Sequence, residues 1–395
     1  MQLSVIILNY NVRYFLELCL VSVQSALSDI DSEIIVVDNN SQDGSCEMMK
    51  MRFPNIKLIE NESNLGFPKG NNIGVAVAKG EYICILNPDT VVAEDTFTKV
   101  LAFAQRQKDL GIVGVKLIDG TGNFLPESKR GVPTPFVAFT KVLGLYKISP
   151  KFEWFGKYYA QHLSENETGK VDILVGAFMF MKRNLYQEIG GFDEDCFMYS
   201  DDIDLSYRVL KEGKSNYYFH ETSVIHYKGE STIKDGIYIK RFQEAMQFFY
   251  KKHFSTRSRS LGTGSFVFSL FMKTGIVFFS FVKMFQGRTK IKTKPKSFVI
   301  YSSNTDLATK LALIFQKKVS FHDLKTEKMV ISSWNLGNTG TEILLDNDFV
   351  SFKESIHFME SLKNKGLTFK ILPKGANFLI GSDNSRERGT VVKIE

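Results

Sequence analysis

The chain has 395 residues, which is enough for two domains or for one large domain with an appendage. Its hydrophobic fraction of 44% and charged fraction of 24% are ordinary for a globular protein and argue against a largely disordered chain. The net charge of +7 is local, because residues 251–296 contain Lys and Arg but no Asp or Glu. This distribution indicates a basic docking surface and argues against a protein that coats nucleic acid.

The four cysteines are scattered, without the spacing of a metal site or a redox motif. Cys19 and Cys84 lie in apolar runs and are predicted to be small core residues, which suits a reducing cytoplasm. The N-terminal run "LSVIILNYN" lacks the basic residues that open a secretory signal peptide. It is therefore predicted to be a buried strand.

The first part of the chain alternates apolar runs with helical patterns. Strands are predicted in "LSVIILNYN", "EIIVVDNNS", "NIKLIEN" and "GEYICILNPDT". A helical spacing of apolar residues follows the first strand, and a helix-like "KGNNIGVAVAKG" precedes the fourth. Strands that alternate with helices predict βαβ units and a mostly parallel, Rossmann-like sheet with both faces covered.

Polar residues stand where these strands end, namely Asn9, Asp38, Asn39 and Asp89. In open parallel sheets, ligands bind at the carboxyl ends of the strands. Because Pro88 removes a ladder donor, the fourth strand is expected to stop there and to hold Asp89 at the sheet edge. The alternative is a simple capped turn before the next helix.

The later parts of the chain are predicted to differ in character. Residues 117–170 are loop-rich and are expected to contribute substrate specificity. After Lys296 a second, small α/β unit is predicted. Its strands are expected at 297–303, 329–332, 342–345, 368–372 and 377–381, and its helices at 305–316 and 352–365.

Two polar loops are candidates for a nucleotide site. "DNNSQDGS", which begins at Asp38, is typical of Asx turns and helix caps, but a carboxylate there also accepts hydrogen bonds from a ribose or a base. Gly66 and Gly70, in the loop that enters the helix of Asn71, make a turn or permit close approach of the backbone to a nucleotide.

Two further residues could bind a metal ion. Asp89 offers hard oxygen ligands, which suit Mg²⁺ or Mn²⁺ bridged to a diphosphate. His226 ends an apolar run in "SVIHYKGES" and could complete the site, although a lone histidine is more often structural.

The segment "FMYSDDIDLSYRVLKEGK" contains the densest group of acids. Ser200 or Asp201 is expected to cap a helix, and Asp204 and Arg208 are spaced to form an i,i+4 ion pair. This leaves Asp202, whose neighbouring carboxylates make it a candidate proton acceptor.

Taken together, the ordered motifs "SVIILNYN", "EIIVVDNNSQDGS", "NLGFPKGNN", "GEYICILNPDT", "VGAFMFMKR", "GGFDE", "FMYSDDIDLSYR" and "VIHYKGEST" resemble the family 2 glycosyltransferases of the rhamnosyltransferase-like group. Members of that group build bacterial cell-surface polysaccharides. The resemblance covers about Leu3 to Phe254 and implies a GT-A fold, in which one nucleotide-binding α/β domain also forms the acceptor site.

The resemblance implies roles for individual residues. "NPDT" matches the family's DxD-type metal motif, with Asn87 in place of the first Asp and Asp89 as the ligand, and His226 matches the metal or diphosphate histidine. "SDD" matches the xED element, with Asp201 where Glu is usual and Asp202 as the catalytic base. The predicted donor-nucleotide residues are Asn9, Asp38, Asn39, Gly66 and Asn71, and the acceptor-side residues are Gly176, Ala177, Asp193 and Asp201.

The resemblance and these residues together imply an inverting glycosyltransferase that requires Mg²⁺ or Mn²⁺. The donor is expected to be a nucleotide-diphosphate sugar, with dTDP-rhamnose as a candidate, and the acceptor a growing, lipid-linked cell-surface polysaccharide. A nucleotidyltransferase would need a basic glycine-rich loop where the chain has "NYNVRYF", and a dehydrogenase would need G-x-G-x-x-G there. Intact acids at the metal and base positions disfavour a non-catalytic nucleotide- or glycan-binding module.

The predicted domains are a GT-A domain at 1–255, a basic Phe-rich segment at 256–296 and an accessory α/β domain at 297–395. Within the basic segment, "SFVFSLFMKTGIVFFSFVKMFQ" has the length of a membrane span, but Lys273 lies near its middle. A helix in the membrane interface fits better, which predicts a cytoplasmic enzyme peripheral to the inner face of the plasma membrane. The alternative is a helix packed on the catalytic domain and followed by a basic linker.

Overall fold

A computed structural model describes residues 1–134, 137, 157–196, 200–228, 244, 247–254, 295–326, 340–384 and 388–394. Two sheets organise these residues into an N-terminal unit, up to residue 254, and a C-terminal unit, from residue 295. The basic segment predicted at 256–296 lies outside the described residues up to residue 294. So do most of the loop residues between 135 and 156.

The N-terminal unit contains a nine-stranded sheet with helices on its faces. Its strands are β1 (Leu3–Asn9), β2 (Ser32–Asp38), β3 (Lys57–Glu60), β4 (Tyr82–Leu86), β5 (Thr90–Val91), β6 (Leu110–Ile118), β7 (Gly169–Val171), β8 (Phe178–Lys182) and β9 (Ser215–His226). Its helices are α1 (Arg13–Ala26), α2 (Ser45–Arg52), α3 (Phe67–Ala76), α4 (Thr96–Gln105), α5 (Arg183–Glu188) and α6 (Asp201–Lys211). Residues 247–254 are also helical.

The strand order is β3-β2-β1-β4-β8-β6-β9-β5, with β7 paired to β9. The first four strands are parallel, and every residue of β1 and β4 is buried, as expected for strands covered on both faces. β8 lies antiparallel between β4 and β6. The carboxyl ends of β1, β2 and β4 therefore meet at one edge, where the predicted polar residues stand.

Helix α3 packs on β1 through its glycines. A Cβ atom at Gly70 would lie 2.4 Å from Cδ1 of Leu8, and one at Gly74 would lie 2.6 Å from Cγ2 of Ile6. Since no larger residue fits between helix and strand, the geometry gives Gly70 a packing role.

The C-terminal unit contains a six-stranded sheet and two helices. Its strands are β10 (Ser297–Ser302), β11 (Val319–Asp323), β12 (Thr341–Asp346), β13 (Thr368–Leu372), β14 (Phe378–Gly381) and β15 (Thr390–Lys393). Its helices are α7 (Thr305–Phe315) and α8 (Phe352–Ser361). The order is β11-β10-β12-β13-β14-β15, with the first four strands parallel and the last two pairings antiparallel.

The predicted fold class, a mostly parallel α/β domain with a second small α/β unit, is confirmed. The sequence prediction did not include β11 or β15, and the strand predicted at 329–332 lies outside the described residues. No helix in the described part of the chain is both long enough and apolar enough to cross a membrane. The candidate interface helix at 265–286 lies outside that part.

Candidate active site

The first cluster of the site joins the ends of β1 and β2. Nδ2 of Asn9 donates to Oδ2 of Asp38 at 2.7 Å and to Oγ of Ser41 at 3.1 Å. Oδ1 of Asp38 accepts from the amide of Ser41, three residues on, at 2.7 Å. Oδ1 of Asn9 is buried without a partner among the described residues. Because a buried acceptor without a donor is costly, this oxygen is a candidate contact for a bound hydroxyl or N–H group.

A second cluster lies beside the first, at the start of α3. Nδ2 of Asn39 donates to the Gly66 carbonyl at 3.2 Å, and Oδ1 of Asn39 accepts from Asn61 at 2.8 Å. Gly66 has φ +82° and ψ 174°, a conformation essentially restricted to glycine. Asn71 is fully buried and donates to the Phe67 carbonyl at 2.9 Å, but its Oδ1 has no partner among the described residues. The predicted nucleotide residues are thus brought together at one sheet edge.

The predicted metal residues meet where β5 pairs with β9. Thr90 is aligned with His226, and the Tyr227 amide donates to the Asp89 carbonyl at 3.0 Å. Oδ1 of Asp89 lies 3.4 Å from Nε2 of His226, and both side chains are less than 10% exposed. Nδ2 of Asn87 lies 3.3 Å from the same nitrogen. The pairing of two short strand ends therefore places a carboxylate and an imidazole side by side.

This donor pair fits a divalent cation. Two adjacent ligands at about 2.1 Å from one cation lie roughly 3 Å apart, close to the spacing of Asp89 and His226. Nδ1 of His226 is buried and has no partner among the described residues. No group of three or more His, Cys, Asp or Glu in the described part of the chain could hold a metal ion. A pair suffices for Mg²⁺-like ions, which commonly take one or two protein ligands together with substrate phosphates.

The predicted base lies in the first turn of α6. Oδ2 of Asp202 accepts from Nη2 of Arg130 at 2.5 Å and from the Gly176 amide at 3.2 Å. No described residue donates to its other oxygen, Oδ1. Burial by itself would lower the pKa of Arg130, but the negative charge of Asp202 raises that pKa above its usual value. Arg130 is therefore a permanent cation that holds one oxygen of Asp202 and leaves the other available.

Two consecutive residues link the base to the metal pair. The amide of Gly176 binds Asp202, and the carbonyl of Ala177 accepts from the Asn87 amide at 3.0 Å. A Cβ atom at Gly176 would lie 3.5 Å from Cβ of Asp202 and 3.5 Å from Cζ of Phe67. The two predicted acceptor-side residues thus lie between the predicted base and the metal motif.

Asp193 lies in a separate polar cleft of about 370 Å³. Its carboxylate pairs with Lys252, and the cleft is also lined by Asn72, Glu194 and Arg208. Asp201, the other predicted acceptor-side acid, is buried in the first turn of α6, next to Asp202. No described contact joins Asp193 to the base or to the metal pair.

The acids at the start of α6 differ in the residues that they contact. Asp204 is fully buried and pairs with Arg208 at 2.7 Å, as predicted, and also with His253 at 2.6 Å and Lys252 at 2.9 Å. Burial would raise the pKa of Asp204, but the hydrogen bond from His253 and the charge of Arg208 hold that pKa well below its usual range. Ser200 occupies the N-cap position of α6 without a side-chain cap bond. Asp204 is therefore a structural acid that fastens helical residues 247–254 to α6.

The sequence analysis missed three charged residues of the site. Arg130 pairs with Asp202, and Glu127 pairs with Lys228, which lies two residues beyond His226. A signal was available in "ESKRGVP", where adjacent cations stand in a loop. Lys129 is only 4% exposed, with Nζ bonded to the carbonyls of Ala160 and Leu163. Arg130, Glu127 and Lys228 place charge of both signs around the predicted metal and base residues.

Comparison with known proteins is consistent with this arrangement. Residues 4–190 match the model of Glycosyl transferase family 2. The N-terminal unit is a family 2 glycosyltransferase domain. The resemblance drawn from the motifs is thereby confirmed.

Relatives of this glycosyltransferase domain differ in how much of their length aligns with the chain. The N-acetylglucosaminyl-diphospho-decaprenol L-rhamnosyltransferase of Mycobacterium tuberculosis is 28% identical over 244 residues, which are 59% of this chain and 78% of that protein. The poly(ribitol-phosphate) beta-glucosyltransferase of Bacillus spizizenii is 29% identical over 157 residues, 38% of this chain and 24% of that protein.

A solved structure was also matched. It is a mannosyltransferase of Pyrobaculum calidifontis in complex with GDP-Man and Mn²⁺. The match has a TM-score of 0.46 and 17% identity, and it covers 73% of this chain and 76% of that one.

Proposed function

We propose that the chain is an inverting, metal-dependent glycosyltransferase with a nucleotide-diphosphate sugar as its donor. Its acceptor would be a growing, lipid-linked saccharide of the cell surface. The observation that carries the proposal is the link through Gly176 and Ala177, which contact Asp202 and Asn87 respectively. That link brings a candidate base to the same sheet edge as a candidate metal pair.

Asp202 is proposed to act as the general base. Arg130 and the Gly176 amide hold its Oδ2, so Oδ1 is the oxygen that accepts the proton of the acceptor hydroxyl. The deprotonated hydroxyl then forms a bond to the anomeric carbon as the bond to the donor diphosphate breaks. Attack from the face opposite the leaving group inverts that carbon.

The donor is proposed to lie along the ends of β1, β2 and β4. Asn9, Asp38, Asn39, Gly66 and Asn71 would contact the nucleotide, and Asp89 with His226 would hold a divalent cation, Mg²⁺ or Mn²⁺. When bound, that cation would neutralise the charge of the departing diphosphate. Lys228, which pairs with Glu127 and follows His226 by two residues, would be a further cation on the diphosphate side of the site.

The names of two relatives support these substrate classes. One is named for a diphospho-decaprenol acceptor and an L-rhamnosyl group, and the other for a poly(ribitol-phosphate) acceptor. We propose dTDP-rhamnose as the first donor to test, and a prenyl-diphosphate-linked sugar as the first acceptor.

The test is a transfer assay with the purified full chain, Mn²⁺ and a panel of nucleotide sugars. Release of nucleoside diphosphate is measured with and without a short-chain prenyl-diphospho-sugar, and the anomeric configuration of the product is read by NMR. Acceptor-dependent release with inversion is expected. A product that retains the donor's configuration would overturn the mechanism.

The control compares two substitutions of Asp by Asn. Asp202→Asn is expected to reduce kcat by at least about 100-fold while donor binding changes little, because proton transfer typically contributes that much to the rate. The exposed Asp29→Asn should behave as the unaltered protein. Near-normal transfer by Asp202→Asn would remove the base assignment.

A peripheral location at the inner face of the plasma membrane is proposed from the sequence of residues 251–296. Their lysines and arginines, other than Lys252, which pairs with Asp193 and Asp204, would meet anionic headgroups, each contributing about 1 kcal/mol near the surface. A lipid-linked acceptor would give this attachment a purpose, since acceptor and enzyme would then share one surface.

A further inference from the structure

The metal pair lies beside a short strand at the edge of the glycosyltransferase sheet. β5 consists of Thr90 and Val91, lies at the end of the strand order and, among the described strands, pairs with β9 alone. A two-residue edge strand cannot be rigid through its own hydrogen bonds. Asp89 precedes this strand directly, so its position depends on contacts outside β5, including the bond from the Tyr227 amide to its carbonyl.

The residues beside Asp89 and His226 belong to one apolar cluster that spans both units. From the N-terminal unit it includes Val12, Phe15, Leu18, Val91, Ala93, Ile118, Ile225 and Tyr227. From the C-terminal unit it includes Val299, Tyr301, Ile343, Leu345, Val350, Phe352, Ile356, Met359, Phe378 and Ile380. Both sequence neighbours of His226, Ile225 and Tyr227, and Val91, two residues after Asp89, therefore belong to the same buried cluster as residues of the C-terminal unit.

Polar contacts fix the two units in one arrangement. The carboxylate of Glu94, three residues after Val91, accepts from the amides of Phe352 and Lys353 at 2.7 and 2.8 Å. These amides are at the N-terminus of α8, where helix N–H groups lack partners within the helix and favour negative charge. At the other end of α8, Glu360 pairs with Lys116 at 3.0 Å. The helix is thus held at both ends by the glycosyltransferase domain.

The turn at Gly120–Gly122 shows how close the contact is. A Cβ atom at Gly122 would lie 2.1 Å from the Met359 carbonyl oxygen, and Gly122 has φ +82°. A Cβ atom at Gly120 would lie 2.7 Å from the Ser382 carbonyl oxygen and 3.1 Å from the ring of Tyr227. No side chain larger than hydrogen fits at either position without moving the backbone of the C-terminal unit.

We infer that the C-terminal unit positions the metal-binding pair, with α8 and its sheet acting as the rigid support of β5 and of the end of β9. Tyr227 and Glu94 are positioning residues in this scheme, since they act on Asp89 and His226 through the backbone. The inference rests on the proposed metal role of that pair. It assigns residues 297–395 a part in donor binding, whereas the sequence analysis expects an accessory unit.

The experiment compares Gly122→Ala with Gly213→Ala in the full chain. Both glycines have positive φ, at +82° and +74°, but a Cβ at Gly213 meets nothing within 4 Å. The two variants therefore share the backbone strain, and only one disturbs the contact with α8. Mn²⁺ affinity is measured by electron paramagnetic resonance in the presence of nucleoside diphosphate, and amide exchange is followed at Tyr227 by mass spectrometry.

Gly122→Ala is expected to weaken Mn²⁺ binding by about 10- to 100-fold, the usual effect of disturbing groups that orient metal ligands, and to speed exchange at Tyr227. Gly213→Ala should match the unaltered protein in both measurements. Equal Mn²⁺ affinity and equal Tyr227 exchange in the two variants would overturn the inference. If Gly122→Ala does not fold, the same comparison is made with Glu94→Gln, which removes the charge at α8 and leaves the apolar cluster intact.

The result also separates this inference from the proposed function. An unaltered protein that binds no Mn²⁺ and transfers no sugar would contradict the proposed function. The difference in Tyr227 exchange between Gly122→Ala and Gly213→Ala would still decide whether the C-terminal unit holds β5 and β9.

Discussion

The ion pair between Arg130 and Asp202 makes a quantitative prediction. Replacing Arg130 by Gln would leave the Asp202 carboxylate with the Gly176 amide as its remaining described donor, at 3.2 Å. Both side chains of the pair are 11% exposed, so water cannot fully replace the lost cation. We therefore expect Arg130→Gln to lower the free energy of unfolding substantially.

The magnitude follows from the burial of the pair. Two opposite charges about 4 Å apart attract by roughly 4 kcal/mol at the effective dielectric constant of a protein near its surface. Removing one partner of a buried pair typically costs about 3–5 kcal/mol. Because some exposure remains, we expect about 3 kcal/mol for Arg130→Gln. Asp202→Asn should show a related loss, because the buried guanidinium of Arg130 then faces a neutral amide in place of a carboxylate.

The assay is a double-mutant cycle. Urea unfolding of each variant is monitored by circular dichroism at pH 7, and the m values of the variants are compared. The double variant Arg130→Gln/Asp202→Asn should be more stable than the sum of the single losses predicts, by about 2 kcal/mol. Arg183→Gln combined with Asp202→Asn is the control, since Arg183 donates to the Gly80 carbonyl at the opposite end of the sheet. The reasoning would be refuted if Arg130→Gln lowered the free energy of unfolding by less than about 1 kcal/mol. It would also be refuted if the coupling energy of Arg130 and Asp202 equalled that of the control pair.

Three further predictions concern the metal, acid stability and the membrane. Asp89→Ala should abolish Mn²⁺-dependent donor binding in calorimetry, whereas full-rate transfer in excess chelator would exclude a metal role. The pKa of Asp204 is lower in the folded protein than its unfolded value of about 3.9. The stability that Asp204 contributes to the fold is therefore complete above about pH 3.9 and is lost as the pH falls below it. When urea unfolding midpoints are measured from pH 5 downward, those of Asp204→Asn should therefore fall less steeply than those of the unaltered protein. An equal fall in the two proteins would contradict this assignment. Liposome flotation should show salt-sensitive binding to anionic vesicles; equal binding to neutral vesicles would remove the electrostatic contribution, and no binding to either would remove the membrane proposal.

Much of the parallel sheet was predictable, because its strands are continuous apolar runs that end in polar residues. The ends of β1, β2 and β4 place Asn9, Asp38 and Asp89 at one edge whatever the loops between them do. The Asp204–Arg208 pair was equally accessible, since helical spacing alone brings those side chains together.

Other features depend on contacts that no local pattern encodes. Arg130 reaches Asp202 across 72 residues, and the loop around it resembles any solvated turn. β11 was missed because none of its residues is fully buried, so its apolar pattern is weak. β5 has two residues, too few to show a period, and it exists because β9 pairs with it.

The close contact at Gly122 also bears on how the two units can be recombined. The turn has no room for a methyl group between it and α8. A different glycosyltransferase domain with a side chain at this position could not bind this C-terminal unit in the same orientation. Chimeras should therefore exchange the Gly120–Gly122 turn, Glu94 and the C-terminal unit as one block. For engineering, the residues that must be exchanged together therefore include part of the glycosyltransferase domain as well as the whole C-terminal unit.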